Sequence, residues 1–340
     1  MDSLSQIVLG ASVGQLVLGN EARNKALVWG AVAGTLPDLD IIPGMFVETV
    51  TRMEIHRGFS HSFLFAITAS PVLGWLVSKI HKKDQIPWYK WGWLFFWGIV
   101  THFLLDSFTT WGTQIFYPFE YRVAARSIFV IDPLYTIPFM VFVVWLAFLK
   151  DHRKRRILNL LGLGISSLYL LITVINKNIA NHHFEAELER QNIEWTRYDS
   201  YPTPFNSILW AVNVETKDGF YIGYYSLLNN NRAINFTYFP QNKSLLADYM
   251  QDDKIQRLIK MSKNWYIARN EEGKLIYNDL RFGTPDTDLS ENSKFVFSYV
   301  IKPDAHNPQK IASIERNDFS FDGRLKALAG LWKMIIAEKG

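Results

Sequence analysis

The feature that most limits what this chain can become is a set of four apolar runs, Phe63–Ile80, Trp91–Phe108, Leu134–Leu149 and Ile157–Ile175. A helix needs about 17–20 apolar residues to cross a bilayer core, where every backbone polar group must be bonded within its own segment. Four such runs predict a helical bundle in a membrane. Two earlier segments, Leu4–Leu18 and Ala26–Leu36, are shorter and rich in Gly and Ala. They read either as short spans packed closely through small residues or as a re-entrant hairpin. Trp88, Trp91 and Trp93 cluster as interface anchors do.

Basic loops set the expected orientation. "KIHKKDQ" (Lys79–Gln85) and "KDHRKRR" (Lys150–Arg156) are separated by two runs, so both fall on one side, and short Lys/Arg-rich loops stay in the cytoplasm. The Asn20–Lys25 turn agrees if the first two segments cross. Three regions then face outward: the "PDLDIIPG…HRGFSH" connection, the Thr109–Pro133 connection and everything after Ile175. Asp2 and the lack of basic residues at the start argue against a cleaved signal peptide. A net charge of +4 over 340 residues, with no concentrated basic patch, excludes nucleic acid as the expected partner and leaves membrane lipids.

The polar residues near the outer face are unusual in kind. The chain has no cysteine, so metal ligands must come from His, Asp and Glu. Asp38 and Asp40 lie between Pro37 and Pro43-Gly44, in backbone that Pro keeps from continuing a helix. His56 and His61 are five apart, which on one helix would turn their rings apart; a break at Gly58 with Ser60 as N-cap would let both face the same place. His102 and Asp106, four apart, share a helix face. Three stretches thus bring six candidate ligands to one membrane face. His with carboxylate suits zinc or manganese, carboxylates alone magnesium, and six ligands leave room for one ion or two. Asp132 is a seventh ligand or a supporting residue. Arg57, Arg122 and Arg126 offer forks suited to a phosphate, and Asp38 or Asp40 can serve as general base. Simpler roles compete: a turn for "PDLD", a structural pair or proton relay for His102 and Asp106, headgroup contact for the arginines. His81, His182, His183 and His306 read as surface residues.

"GTLPDLDIIPG", "HRGFSHS" and "THFLLDSFTTWGTQ", with the opening "MDSLSQIVLGASVG", resemble the YdjM (DUF457) family of LexA-regulated, bacterial inner-membrane metal-dependent hydrolases. The resemblance covers roughly the first 180 residues and extends to the later "YPTPFN…GFYIGYYSLL". It implies metal-dependent hydrolysis at His56, His61, His102, Asp106, Asp38 and Asp40. Many members carry His where this chain has Gln6, a poor ligand that then supports the site or marks a missing second metal.

After the last run the text changes character. Asn176–Asn192 reads as a polar helix, Ser207–Leu228 as a β-hairpin around Lys217-Asp218-Gly219, Lys243–Lys263 as a helix, Trp265–Gly283 as a second hairpin, Ser293–Lys302 as a strand and Arg324–Ala337 as a closing helix. No internal repeat or low-complexity tract is present. The expected fold is an all-α polytopic membrane bundle (residues 1–178; four clear spans plus two short N-terminal helices) followed by a small extracytoplasmic α+β domain (179–340) with no catalytic cluster of its own and an unidentified protein partner. The expected function is a membrane-embedded metallohydrolase acting at the outer face on an amphiphile, a phospholipid-like or other lipid-linked phosphoester ahead of an amide. The alternatives are a regulator or scaffold with a structural metal, or an ion transporter, against which the apolar inner ends of the runs argue.

Overall fold

The computed structural model of the chain describes residues 1–228, 233–285, 289–307, 309–317 and 330–335. It divides into two compact units: Met1–Met45 with Ile55–Ile175 and Pro204–Asn206, and Phe46–Glu54 with Asn176–Thr203 and Ser207–Gly340.

The first unit is helical. α1 (Ser3–Ala22) starts where the Asp2 carboxylate accepts the Leu4 and Ser5 N–H groups. It turns at Arg23 into α2 (Asn24–Thr35). The two backbones touch along a glycine seam: a Cβ on Gly10 would overlap the Gly30 carbonyl, and one on Gly14 the Ala26 carbonyl. This is the close approach through small residues that the sequence suggested, and it is how helices associate where no hydrophobic effect drives them together. A 3-10 turn (Pro37–Asp40) and α3 (Ile41–Gly44) follow. α4 (Thr49–Ile55) belongs to the second unit up to Glu54. α5 (Phe63–Ile80) packs on α6 (Trp88–Asp106). α7 (Pro133–Phe148) packs on α1 and opens at an Asp132 N-cap. α8 runs unbroken from His152 to Arg190, so the separate polar helix expected after Asn176 is the continuation of the last apolar run.

Among the described residues, three stretches are long and apolar enough to cross a membrane: Asn24–Gly44, Phe63–Ile80 and His152–Arg190. α7 is apolar but shorter, and α6, which begins Trp-Tyr-Lys-Trp-Gly-Trp, is not among them. The surface is apolar on α5 (Ile67, Val72, Trp75), α7 (Ile137, Val141, Trp145) and α8 (Leu161, Ile165, Leu168), while Gln6, Ser12, Gln15, His102, Asp106, Arg155 and Asn159 are buried. Apolar outside and polar inside is the pattern a lipid solvent selects.

One polar cluster was not anticipated. Arg155, in the basic Lys150–Arg156 segment, is buried and donates to Gln15 Oε1 (2.6 Å), Asn24 Oδ1 (2.7 Å) and the Leu146 and Leu149 carbonyls that end α7. Asn159 bonds Ser12 nearby on the same helix. The inner ends of the helices are therefore not wholly apolar. Between Ser12 and the outer polar residues of α1, the buried side chains are Val8, Leu9 and Ala11, in an apolar core with Tyr135 and Phe139.

Among its described residues the second unit has two antiparallel four-stranded sheets. The first has β1 (Arg197–Pro202), β2 (Leu209–Glu215), β3 (Gly219–Ser226) and β4 (Thr237–Pro240), paired in sequence order. A 3-10 stretch (Lys243–Tyr249) and α9 (Asp253–Met261) precede the second sheet. That sheet has β5 (Tyr266–Glu271), β6 (Lys274–Asp279), β7 (Phe297–Pro303) and β8 (Ile311–Arg316). Both expected hairpins and the expected strand form. The single helix expected over Lys243–Lys263 is two pieces, because the Asp252 carboxylate caps a new start at α9. Gly330–Ile335 is helical; the rest of the closing helix expected over Arg324–Ala337 lies outside the described residues. His81 is held between Trp29 and Trp91, and His183 stacks on Tyr225 at 4.5 Å, so neither is a simple surface residue.

Candidate metal centre

Four side chains meet inside the first unit: Asp38, His61, His102 and Asp106, each offering one ligand atom within 4.8 Å of the others. Their positions follow from local structure. Pro37 opens the 3-10 turn that carries Asp38. His61 ends a 3-10 turn (Phe59–His61), and the N-cap of α5 is Ser62, not Ser60. His102 and Asp106 share a face of the last turn and a half of α6, as their spacing required.

The candidate ligand atoms lie close together. His61 Nε2 is 3.4 Å from both Asp38 Oδ1 and Asp106 Oδ2. His102 Nε2 is 3.6 Å from the same two oxygens and 3.1 Å from His61 Nε2. Bonds of about 2.0–2.1 Å, normal for zinc with imidazole or carboxylate, give a tetrahedron edge of about 3.3–3.4 Å. Asp106 Oδ2 is buried and accepts no well-formed hydrogen bond. Burial by itself lowers the His61 imidazole, yet its hydrogen bonds to the Asp106, Asp38 and Asp40 carboxylates raise it to about 9. Spacing and a field that favours positive charge both fit a divalent cation.

The remaining expected residues surround these four. Asp40 is one layer out: it meets His56 Nδ1 (3.0 Å), the Arg57 N–H (2.8 Å), Ser60 Oγ (3.1 Å) and His61 Nδ1 (3.3 Å). Asp40 therefore orients His61 from behind, the usual role of a carboxylate on a metal-binding imidazole. His56 braces Asp40 and is outside the ligand group. His102 Nδ1 is 2.6 Å from the Gly34 carbonyl, an acceptor that fixes the proton there and leaves Nε2 free to bind. Gln6 Nε2 donates to Asp106 Oδ1 (3.0 Å) and the His102 carbonyl (3.2 Å), and the Met1 amino group also lies against Asp106. Gln6 thus supports a ligand, one of the two roles its departure from the family pattern left open.

The three arginines expected to meet a phosphate make contacts within the protein. Arg57 is buried, with φ of 57°; its Nε lies 3.0 Å from Asp106 Oδ2 and its Nη1 donates to Thr109 Oγ1 at 2.6 Å. A buried carboxylate needs a counter-charge, and Arg57 supplies it. Arg122 Nη1 donates to the His56 carbonyl at 2.9 Å and so braces the turn from outside. Arg126 is buried in a segment whose neighbours bond the Ser107 and Phe108 carbonyls. Asp132 caps α7 and accepts from Tyr169 (2.9 Å), which makes it part of a helix start. Ser60, Thr109 and the Gly34 carbonyl were missed. Ser60 sits inside the His pair and was assigned only a capping role; a backbone carbonyl leaves no trace in sequence.

His61, His102 and Asp106 are fully buried, and Asp38 is 22 % exposed, so the centre opens on the Asp38 side. Leu39, Ile41, Ile42 and Met45, next along the chain, are exposed apolar side chains.

A family model described as "YdjM inner membrane protein" matches residues 1–180. No curated protein and no solved structure matches.

Proposed function

The chain belongs to the YdjM inner membrane protein family, and from that premise we propose that it is a membrane-embedded, metal-dependent hydrolase. In this reading it is multi-pass, with α6 and α7 crossing beside the three longer stretches. It acts at the outer face of the cytoplasmic membrane, and its second unit is extracytoplasmic. The observation that carries the reading is the His61–His102–Asp106–Asp38 group: three ligands closed off from solvent and one at the open edge. Zinc suits two imidazoles and two carboxylates best, manganese next. A divalent ion there supplies Lewis acidity and activates water at neutral pH.

The chain's own residues do the rest. His61 and His102 present neutral Nε2 atoms, fixed by Asp40 and Gly34. Asp106 brings charge, moderated by Arg57 and held by Gln6. Asp38, at the open edge, takes the proton released as water attacks the substrate. The apolar residues from Leu39 to Met45 support an amphiphile whose head reaches the centre while its chains stay in lipid. A lipid-linked phosphoester leads, because an anionic head complements the cation; an amide is the runner-up.

A second reading has its own observation. Four candidate protein ligands match the number in a closed, structural metal site, whereas a catalytic site usually has three. In that case the protein is a regulator or scaffold. One experiment separates the two: metal content of the purified protein beside His61→Ala, His102→Ala and Asp38→Asn, with a screen of phospholipids, generic phosphoesters and amides. The hydrolase reading expects metal lost in both His variants; in Asp38→Asn, where the three buried ligands His61, His102 and Asp106 remain, it expects weaker but measurable metal binding with turnover lost. Full metal with no turnover on any class supports the scaffold. Metal retained in both His variants removes the foundation of both.

A further inference from the structure

The segment linking the two aspartates to the two histidines makes an excursion. Phe46–Glu54 packs with the second unit, although the residues on either side of it belong to the first. Its body is α4, a helix of 7 residues. Helices shorter than about 12–15 residues are marginal on their own, so α4 depends on what it packs against.

One side chain of α9 gathers it. Arg257 Nε and Nη2 grip Glu54 Oε1 and Oε2 at 2.9 and 2.5 Å. Nη2 also donates to Thr51 Oγ1 at 2.7 Å, and Nη1 reaches Glu48 Oε1 at 3.2 Å. Asp253, one turn earlier on α9, holds Nη1 at 3.3 Å, and Lys254 lies 3.7 Å from Glu48. Exposed ion pairs contribute little one at a time, but a two-pronged fork with several acceptors is the exception. The next residue after α4 is His56, which bonds Asp40 across the neck of the loop. Arg257 therefore fastens a loop whose two ends carry Asp38 and Asp40, and His56 and His61.

We propose that Arg257 is a positioning residue for the metal centre: through Glu54 and Thr51 it orders the loop joining the aspartate and histidine ligands, and so sets how tightly the ion is held. This gives the second unit a task, control of metal retention by way of α4. The inference rests on the metal-centre reading.

The test uses the full chain in detergent, loaded with zinc, and measures chelator-driven zinc release for wild type, Arg257→Gln, Glu54→Gln, the double variant and the milder Thr51→Val. Near-UV circular dichroism follows the fold of the second unit in parallel. Loss of a residue that supports metal ligands usually lowers affinity about 10–100-fold. Each charge variant is expected to release zinc about 10-fold faster. The double variant is expected to be no faster than either single, because both remove one clamp. Thr51→Val is expected to fall between, with an unchanged dichroism spectrum. Release at the wild-type rate in all variants overturns the proposal, as does a double variant whose effect is the product of the singles. A wild-type protein that takes up no zinc overturns the metal-centre reading itself, and this proposal with it.

Discussion

At the residue scale, the division of labour around the four ligands gives sharp expectations. Asp106→Asn removes a ligand and should abolish metal uptake. Asp40→Asn keeps all four ligands and loosens only the grip on His61, so metal affinity should fall about 10–100-fold, as read by equilibrium competition with a chelator. The His61 imidazole, raised to about 9 without metal, fixes a pH dependence. Below that pH a proton must leave before the ion binds, so zinc affinity should rise with pH and level off near 9. The sign reverses for stability of the metal-free protein. The protonated ring stabilises the fold fully below the ordinary value of 6.5, and that contribution fades as pH rises through about 9. A metal-free melt that gains stability between those values would contradict this. Four of the six candidate ligands meet in one group, and they were legible because His and Asp stand out at the edge of apolar runs. The split between ligands and supports was not, since it depends on how two 3-10 turns aim Asp38 and Asp40, and His61 and His56. The Arg57–Asp106 contact was not legible either, since sequence cannot show that this carboxylate would be buried and need a counter-charge.

At the element scale, the α1–α2 seam is the most exacting contact. Gly14→Leu puts a branched side chain against the Ala26 carbonyl and the Gly30 backbone. Overpacking a tight interface costs about 1–3 kcal/mol and more where backbone is the obstacle. The variant should melt several degrees lower in detergent, whereas Gly164→Leu, with open space around that position, should not. Long helices were legible from apolar runs, and the β2–β3 and β5–β6 hairpins from alternation around Asp-Gly and Glu-Glu-Gly turns. β1, β4 and β8 were not. β1 ends at a proline, β4 has only 4 residues, and β8 carries two charges at its end, so none displays a clean alternation. Each is fixed by its partner strand instead, and pairing information is not local.

At the scale of the whole molecule, the absence of cysteine makes orientation directly measurable. In intact cells, a cysteine at exposed His306 should react with a membrane-impermeant maleimide, and one at exposed Lys83 only after lysis. The opposite pattern would invert the orientation and move the metal centre to the inner face. The two-part plan of the chain was legible as a change of texture near Ile175. That Phe46–Glu54 belongs with the later part was not, because nothing in a seven-residue helix announces its distant partner. Gly34 closes the chain of dependence from packing to chemistry: its carbonyl receives the His102 ring, and a Cβ there would strike the Gln6 backbone, whose side chain holds Asp106. A genetic screen for inactive alleles should therefore return a residue that has no functional group at all, and a survey limited to reactive side chains would overlook it.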